Sequence, residues 1–347
     1  MVMTKRPGFL ALLSRGSCVL LLALASCSGP ERRPLTPVDE EFARLEGGAR
    51  QAHSRGEVSY ARDLYQALLI EAERSDDPSK IGDTAFNLAV CQLALGEFEE
   101  ARDLFLIAEH ELGRAREPLA QVFLARARLA LFDGKAEECR SSAEMALLDK
   151  RSRARARERA ESHVLIGLAS IELRQLDAAQ AALEGAHEEA DDDEAAPSTY
   201  RLEARLHQAN GRPTEAALSF DSEAERAGQW SLYETMADAH ELAGDAWHDV
   251  GDMDRARDRW LRAARCRFAR AVRRGSSPQV ELRELQAATE LCARVDDADA
   301  LAADPMLEAR LRYLVQRIEV ERERIAGVVQ VLEAERQARE LAEEVSE

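Results

Sequence analysis

The same turn-and-helix pattern recurs along most of this chain, and its period constrains the fold more than any single residue does. A glycine-containing turn opens an amphipathic segment at residues 56, 96, 134, 211 and 251, and a glycine-free copy begins at Arg174. Successive copies start 37 to 40 residues apart. A fixed period of this length is typical of solenoids, in which each repeat buries its apolar face against its neighbours. We therefore expect a repeat architecture built from helices.

Composition favours an almost entirely helical chain and disfavours one class of partner. The 347 residues include only 18 glycines and 10 prolines, and 46% are hydrophobic. Most glycines and prolines fall between segments of helical apolar period. The formal net charge is −18, which argues against nucleic acid as a partner because phosphate contacts need clustered cations.

The N-terminal segment is expected to lie outside the fold. Lys5 and Arg6 precede an apolar run at residues 18–25, which is too short to span a membrane stably as a helix. A cationic region followed by such a run is typical of a secretory signal. We therefore predict a signal peptide at residues 1–26.

The end of that run resembles a bacterial lipobox. The sequence Leu-Ala-Ser-Cys ends at Cys27 and is followed by polar residues. The resemblance implies a lipoprotein of a diderm bacterium, acylated at Cys27 and anchored in the cell envelope, at the periplasmic face of the outer membrane. Residues 27–37 would form a flexible tether. An ordinary cleaved signal with an incidental Cys27 is the alternative.

Two copies of the repeat carry a detailed match to the tetratricopeptide repeat (TPR). Small residues let the paired helices approach, and large residues fill the adjacent gaps. The resemblance implies an all-α fold, a right-handed α-solenoid of TPR-like helix hairpins, although the period exceeds the family's usual length of about 34 residues. The matching residues are Leu88, Ala89, Gly96, Phe98, Ala101, Phe105 and Ala108 in one copy and Gly244, Trp247, Gly251, Met253, Ala256, Trp260 and Ala263 in the other.

The solenoid is predicted to occupy residues 38–275 as about six helix pairs. A degenerate seventh repeat is predicted at 276–304 and a long C-terminal helix at 305–347. Apolar spacings of three, four and seven in that helix resemble a coiled-coil seam, which predicts either self-association or a helix that caps the solenoid. The seam residues are Leu307, Leu311, Leu314, Ile318, Ile325, Val328, Leu332, Leu341 and Val345.

The TPR resemblance also implies which side chains would meet a partner, because first helices line the concave face in this family. That face would be apolar in repeats two to four, basic in repeat five and acidic in repeat six. It would suit an amphipathic helix or an extended segment with apolar anchors. The alternative is that the apolar set is core or is covered by the C-terminal helix. The set is Phe86, Val90, Leu93, Leu124, Leu131, Phe132, Val164, Leu168, Ile171, Arg201, Arg205, Asp238, Glu241, Asp245 and Asp249.

The acidic members lie on one helical face with Glu234, which could steer a basic partner or could simply be solvated. Four cysteines follow Cys27, namely Cys91, Cys139, Cys266 and Cys292, and their spacing matches no metal site. Cys139 occupies a small-residue position and is predicted to be buried. If a disulfide forms, Cys266–Cys292 is the most plausible pair.

No catalytic, cofactor-binding or metal-binding motif is recognised, so we expect no cofactor and no metal. The expected function is a non-enzymatic, membrane-anchored scaffold that binds protein partners in the cell envelope. The alternatives are an accessory factor of peptidoglycan hydrolysis, an enzyme with an unrecognised site, and a structural oligomer.

Overall fold

The computed structural model describes residues 37–149, 156–189, 196–272 and 278–346, and within these segments it contains helices and no strand. The predicted signal peptide and Cys27 lie outside the described residues. No helix in the described segments is both long enough and apolar enough to cross a membrane. The helices are α1 (Pro37–Ser54), α2 (Val58–Ser75), α3 (Pro78–Leu95), α4 (Phe98–Ala115), α5 (Ala120–Phe132), α6 (Ala136–Leu148), α7 (Ala156–Glu172), α8 (Leu176–Glu189), α9 (Pro197–Ala209), α10 (Pro213–Gln229), α11 (Tyr233–Val250), α12 (Met253–Ala271), α13 (Pro278–Val295), α14 (Ala298–Ala303) and α15 (Pro305–Ser346).

Helices α1 to α12 form six hairpins stacked in chain order. The two helices of each hairpin pack together, and each hairpin contacts the next. The predicted all-α fold of TPR-like hairpins is confirmed.

Glycine sets the turn inside most hairpins. Gly96 has φ of 83°, the left-handed region that glycine enters without a steric penalty. Its N–H donates to the carbonyl of Leu93, and the next N–H donates to the carbonyl of Gln92 at 2.9 Å, as in a Schellman motif. In the glycine-free copy Arg174 adopts the same conformation, with φ of 60°. The repeat spacing therefore located a turn where the usual residue is missing.

Glycines inside helices permit close packing. A Cβ built at Gly167 would lie 2.6 Å from the Leu202 side chain, and one at Gly244 would overlap the Trp260 ring. Trp260 fills the space that Gly244 leaves, as the matched pattern requires.

An arginine six residues after the turn glycine links neighbouring repeats. Arg102 donates to both carboxylate oxygens of Asp133 at 2.7 Å, and Arg257 donates to Asp297 at 2.6 Å. In the first repeat the same position is Arg62, which donates to Glu97 at 2.9 Å. These pairs tie α2, α4 and α12 to a later turn, and none of them was predicted from the sequence.

Helix α15 packs along α13 and α12. Five predicted seam residues are buried in the core shared with Trp260 and Phe268, so they are unavailable to a second copy. For these five the capping interpretation is right and the self-association interpretation is wrong, because their apolar face is already covered. They are Leu307, Leu311, Leu314, Ile318 and Ile325. Val328 is exposed, and the side chains of Leu332, Leu341 and Val345 lie outside the described part.

Candidate protein-binding groove

Three first helices, α5, α7 and α9, meet on one side of the stack. Helix α5 contacts α7, and α7 contacts α9, whereas second helices of successive hairpins make no comparable contact within the described segments. A stack whose helices meet on one side curves around that side. Helices α5, α7 and α9 therefore lie on the inner side of the stack, and α3 is the corresponding first helix of its own hairpin.

Apolar side chains on α3, α5 and α7 form the first part of this surface. Phe86, Val90 and Leu93 on α3 are partly buried, packed against the N-terminal core. Phe86 lies 5.9 Å from the Phe105 ring, centroid to centroid. Five more apolar residues of the predicted set follow on α5 and α7, and two of them are buried. They are Leu124 and Leu131 on α5 and Val164, Leu168 and Ile171 on α7.

Two residues of the predicted set are core residues. Leu124 and Val164 are both 2% exposed, because each points between helices rather than into the concavity. They support the groove from beneath and offer almost no surface to a partner. Leu131, Leu168 and Ile171 are partly exposed, so the usable apolar surface is narrower than the predicted one.

Phe132 lies at the rim. It is the last residue of α5, is 70% exposed, and stacks on Phe98 of α4 with ring centroids 4.9 Å apart. An aromatic pair of this kind gives a partner a rigid apolar contact at low entropic cost.

Arg201 on α9 is held by a buried carboxylate. Its Nε donates to Glu223 Oε1 of α10 at 2.8 Å, and Glu223 is fully buried. Burial raises the pKa of Glu223 to about 7, against the opposing effect of Arg201. Neither Glu223 Oε2 nor Arg201 Nη2 has a hydrogen-bond partner. Arg201 is thus already engaged in an ion pair within the chain, and binding a partner would compete with that pair.

Arg205 is the more accessible of the two arginines. Its guanidinium lies 5.6 Å from the Phe220 ring centroid and donates to Gln208 at 3.1 Å. A cation over an aromatic face is held in place without losing its charge.

The acidic stripe on α11 is largely paired within the chain. Arg267 of α12 donates to Asp238 at 2.6 Å and to Glu241 at 3.2 Å. Asp245 accepts from Trp260 Nε1 at 2.9 Å and from Arg294 at 2.8 Å. The charges of these three residues are therefore partly compensated by arginines of α12 and α13, while their side chains keep some exposure to solvent.

Two other residues complete the stripe. Glu234 pairs with Arg270 at 3.1 Å. Asp249 lies near the end of α11, exposed, with His248 Nδ1 at 3.8 Å. Among the five acidic residues of the stripe, Asp249 alone forms no ion pair with an arginine of the described segments.

The buried carboxylates and the arginines that face them were not predicted from the sequence. Glu284 of α13 is 1% exposed and lies 3.4 Å from Arg267 and 3.3 Å from Arg270. A signal was available, since Glu223 and Glu284 each fall on the apolar face of their helix. A carboxylate at such a position needs a cation from a neighbouring helix.

The four cysteines are free thiols, including Cys266 and Cys292. Cys139 is fully buried, as predicted, and burial raises its pKa to about 11.

His240 lies among arginines. Burial, then Arg262 and Arg259, lower its pKa to about 4. Within the described residues no group of three or more His, Cys, Asp or Glu side chains could hold a metal ion.

No family model matches this sequence, and no curated protein matches it either. Solved structures resemble it in fold. A tetratricopeptide repeat protein from Parabacteroides merdae is 14% identical, with a TM-score of 0.44, and the match covers 80% of this chain and 99% of that one.

Pseudomonas aeruginosa pilF is 20% identical, with a TM-score of 0.46 over 73% of this chain and 99% of its own. A Rap protein complexed with Competence and Sporulation Factor is 15% identical, with a TM-score of 0.47 over 83% and 99%. Because these TM-scores lie below 0.5, the likeness carries no argument about what this chain binds.

Proposed function

We propose that this protein is a non-enzymatic adaptor, anchored in the cell envelope through Cys27, whose concave groove binds a protein partner. The observation that carries the groove assignment is the row of partly exposed apolar side chains on the first helices α3, α5 and α7, represented by Val90, Leu131 and Leu168. Apolar anchors spaced along a groove suit an amphipathic helix or an extended segment.

The charges next to this row define where the partner lies. Asp238, Glu241 and Asp245 are compensated by arginines of α12 and α13, so they offer a partner little net attraction. Arg205 is an exposed cation on α9, the next first helix after the apolar row. The partner segment is therefore apolar along one side, with an acidic group where it reaches α9.

One substitution tests the groove. Leu168→Glu places a charge among the apolar side chains and is expected to abolish partner capture. Leu148→Glu is the matched control, because Leu148 is 73% exposed at the end of second helix α6 and lies away from the groove. Partners are recovered by crosslinking from native membranes, and helicity is measured by circular dichroism. Equal capture by both folded variants would remove the groove from the proposal.

The anchor is tested separately. The lipobox-like sequence ending at Cys27 supports an acylated protein, and two or three acyl chains hold a protein durably on a bilayer. Wild-type protein should sediment with membranes, and Cys27→Ala should remain in the supernatant. Sedimentation of the Cys27→Ala protein with membranes would contradict the lipid anchor while leaving the groove untouched.

A further inference from the structure

Helix α15 carries a second apolar stripe, distinct from the one that packs on the solenoid. Met306, Tyr313 and Val320 follow one another at intervals of seven residues and are 60 to 67% exposed. Side chains at this spacing form one stripe along a helix. Val331 extends the stripe and is 58% exposed. A surface helix gains nothing from so many exposed large apolar groups at a coiled-coil period unless another helix covers them.

The stripe continues in sequence to the end of the helix. In heptad terms, Met306, Tyr313, Val320 and Gly327 occupy one core position, which the sequence continues with Ala334 and Leu341. The other core position holds arginine in the first three heptads and apolar or small residues in the last three, namely Arg310, Arg317, Arg324, Val331, Ala338 and Val345.

The two ends of α15 differ in their support and in their charge. Ile325 is the last buried side chain among those described on this helix, so residues 305–325 are held by the solenoid. Residues 326–346 continue the helix for about 31 Å, the same length as the docked part. The docked part has five arginines and four glutamates, whereas residues 326–347 have two arginines and six glutamates.

We infer that α15 pairs with α15 of a second copy in antiparallel orientation, each projecting end lying along the docked part of its partner. Antiparallel pairing sets the acidic end of each helix against the docked part of the other, in which arginines and glutamates nearly balance, whereas parallel pairing would set the two acidic ends side by side. It is a two-fold interface, in which the same surface of both copies meets.

Residue sizes fit this register. In an antiparallel coiled coil the two core positions face each other. We align the two copies so that the numbers of two opposed residues add to 651. Every core residue from Met306 to Val345 then has a partner in the second copy. Tyr313, Arg317 and Arg324 each face alanine or glycine, whereas Arg310 faces a leucine. The opposed pairs are Met306 with Val345, Arg310 with Leu341, Tyr313 with Ala338, Arg317 with Ala334, Val320 with Val331, and Arg324 with Gly327.

The surroundings of the arginines agree with this placement. Arg310 lies 3.5 Å from Asp258 of α12, and Arg317 lies over the Phe268 and Tyr313 rings at 4.5 and 5.5 Å. Both are held along one side of the stripe by the solenoid, which leaves their aliphatic stems to flank the second helix. A Cβ at Gly327 would meet nothing within 4 Å, so the space opposite Arg324 is open.

Cysteine crosslinking of the full-length protein in intact cells tests this inference. The double variant Val320→Cys/Val331→Cys should form a disulfide-linked dimer under mild oxidation, because the cysteine at position 320 of one copy faces the cysteine at position 331 of the other. Val320→Cys alone should not. The matched control is Glu319→Cys/Gln330→Cys, since both residues are exposed and each lies one position earlier, away from the stripe.

Each outcome decides the matter. Dimer from the double variant, with at least tenfold less from the single variant and the control, supports the antiparallel pair. Equal dimer from Val320→Cys alone would mean a parallel pair and would overturn the inference. No dimer from the double variant, or crosslinking to a different protein in its place, would also overturn it. None of these results depends on the groove or on Cys27.

Discussion

The halves of this solenoid share one architecture but use their inner surfaces differently. In the apolar half, α1 to α8, the first helices present partly exposed apolar side chains, and the buried residues form separate clusters. In the charged half, α9 to α15, one core joins the last hairpins to α15, and the inner surface is crossed by ion pairs such as Arg267–Asp238. The comparison teaches that the inner face of a repeat can keep apolar side chains partly exposed or can be occupied by ion pairs with neighbouring helices.

The largest effect is expected from truncation in the shared core. Trp260→Ala should lower the free energy of unfolding by about 3–5 kcal/mol, since it empties a large buried site. Hydrogen exchange should show lost protection in α11 to α15 while α1 to α8 stay protected, because repeats depend mainly on their neighbours. Phe105→Ala is the counterpart in the apolar half and should spare α15. An equal loss of hydrogen-exchange protection along the whole chain after either substitution would contradict the view that the two halves unfold separately.

The ion pairs of the charged half come next. Arg267→Ala should cost about 3 kcal/mol, because it leaves the buried Glu284 and its neighbours Asp238 and Glu241 with less compensating charge. Arg312→Ala, which removes an exposed pair with Glu308 on one face of α15, should cost less than about 0.5 kcal/mol. Chemical denaturation of both variants measures the difference, and similar values would show that the inner ion pairs carry no special energy.

Glu223 gives the charged half a pH dependence. Its folded pKa is about 7 and its ordinary value is 4.5, so the folded state favours the protonated carboxyl. This contribution to stability is full below pH 4.5 and is lost as the pH rises through 7. Glu223→Gln should therefore be more stable than wild type by about 3 kcal/mol at pH 8, with the difference disappearing near pH 4.5. Glu215→Gln, an exposed change on the same helix, should show no such trend in denaturation across this pH range.

The smallest effect concerns the turn of the fourth hairpin, in the apolar half. Arg174 holds a left-handed conformation that costs a non-glycine residue about 1 kcal/mol. Arg174→Gly should raise the free energy of unfolding by up to that amount, and Gly96→Ala should lower it by about the same. Thermal unfolding of both proteins checks the pair. A loss of stability in Arg174→Gly would mean that the arginine side chain stabilises the turn.

The period and the small-residue positions were sufficient to predict the hairpins, because local spacing determines which face of a helix is buried. Cys139 illustrates this, since its place in the repeat predicted its burial. The concave surface was harder to predict. Leu124 and Val164 are on the correct helices. A small rotation of a helix about its own axis decides whether such a side chain faces the groove or the core, and that rotation cannot be derived from a single sequence.

The acidic stripe shows the other limit. Its five residues do share a helical face, yet the arginine partners of four of them, Arg267, Arg270 and Arg294, come from α12 and α13. Charge compensation between helices depends on how the hairpins stack, so a helix considered alone appears as a charged surface. The same reason explains why the apolar spacing of α15 was noticed while its division into a covered and an exposed stripe was not.

Site-specific photocrosslinking tests the central claim most directly. A photoreactive residue at Val90, in the groove, is compared in cells with one at Ile107, which is 41% exposed on second helix α4. The account predicts a discrete crosslinked partner from position 90, lost when Leu168→Glu is added, and none from position 107. Equal crosslinking from both positions, or a partner at position 90 that is indifferent to Leu168→Glu, would contradict it.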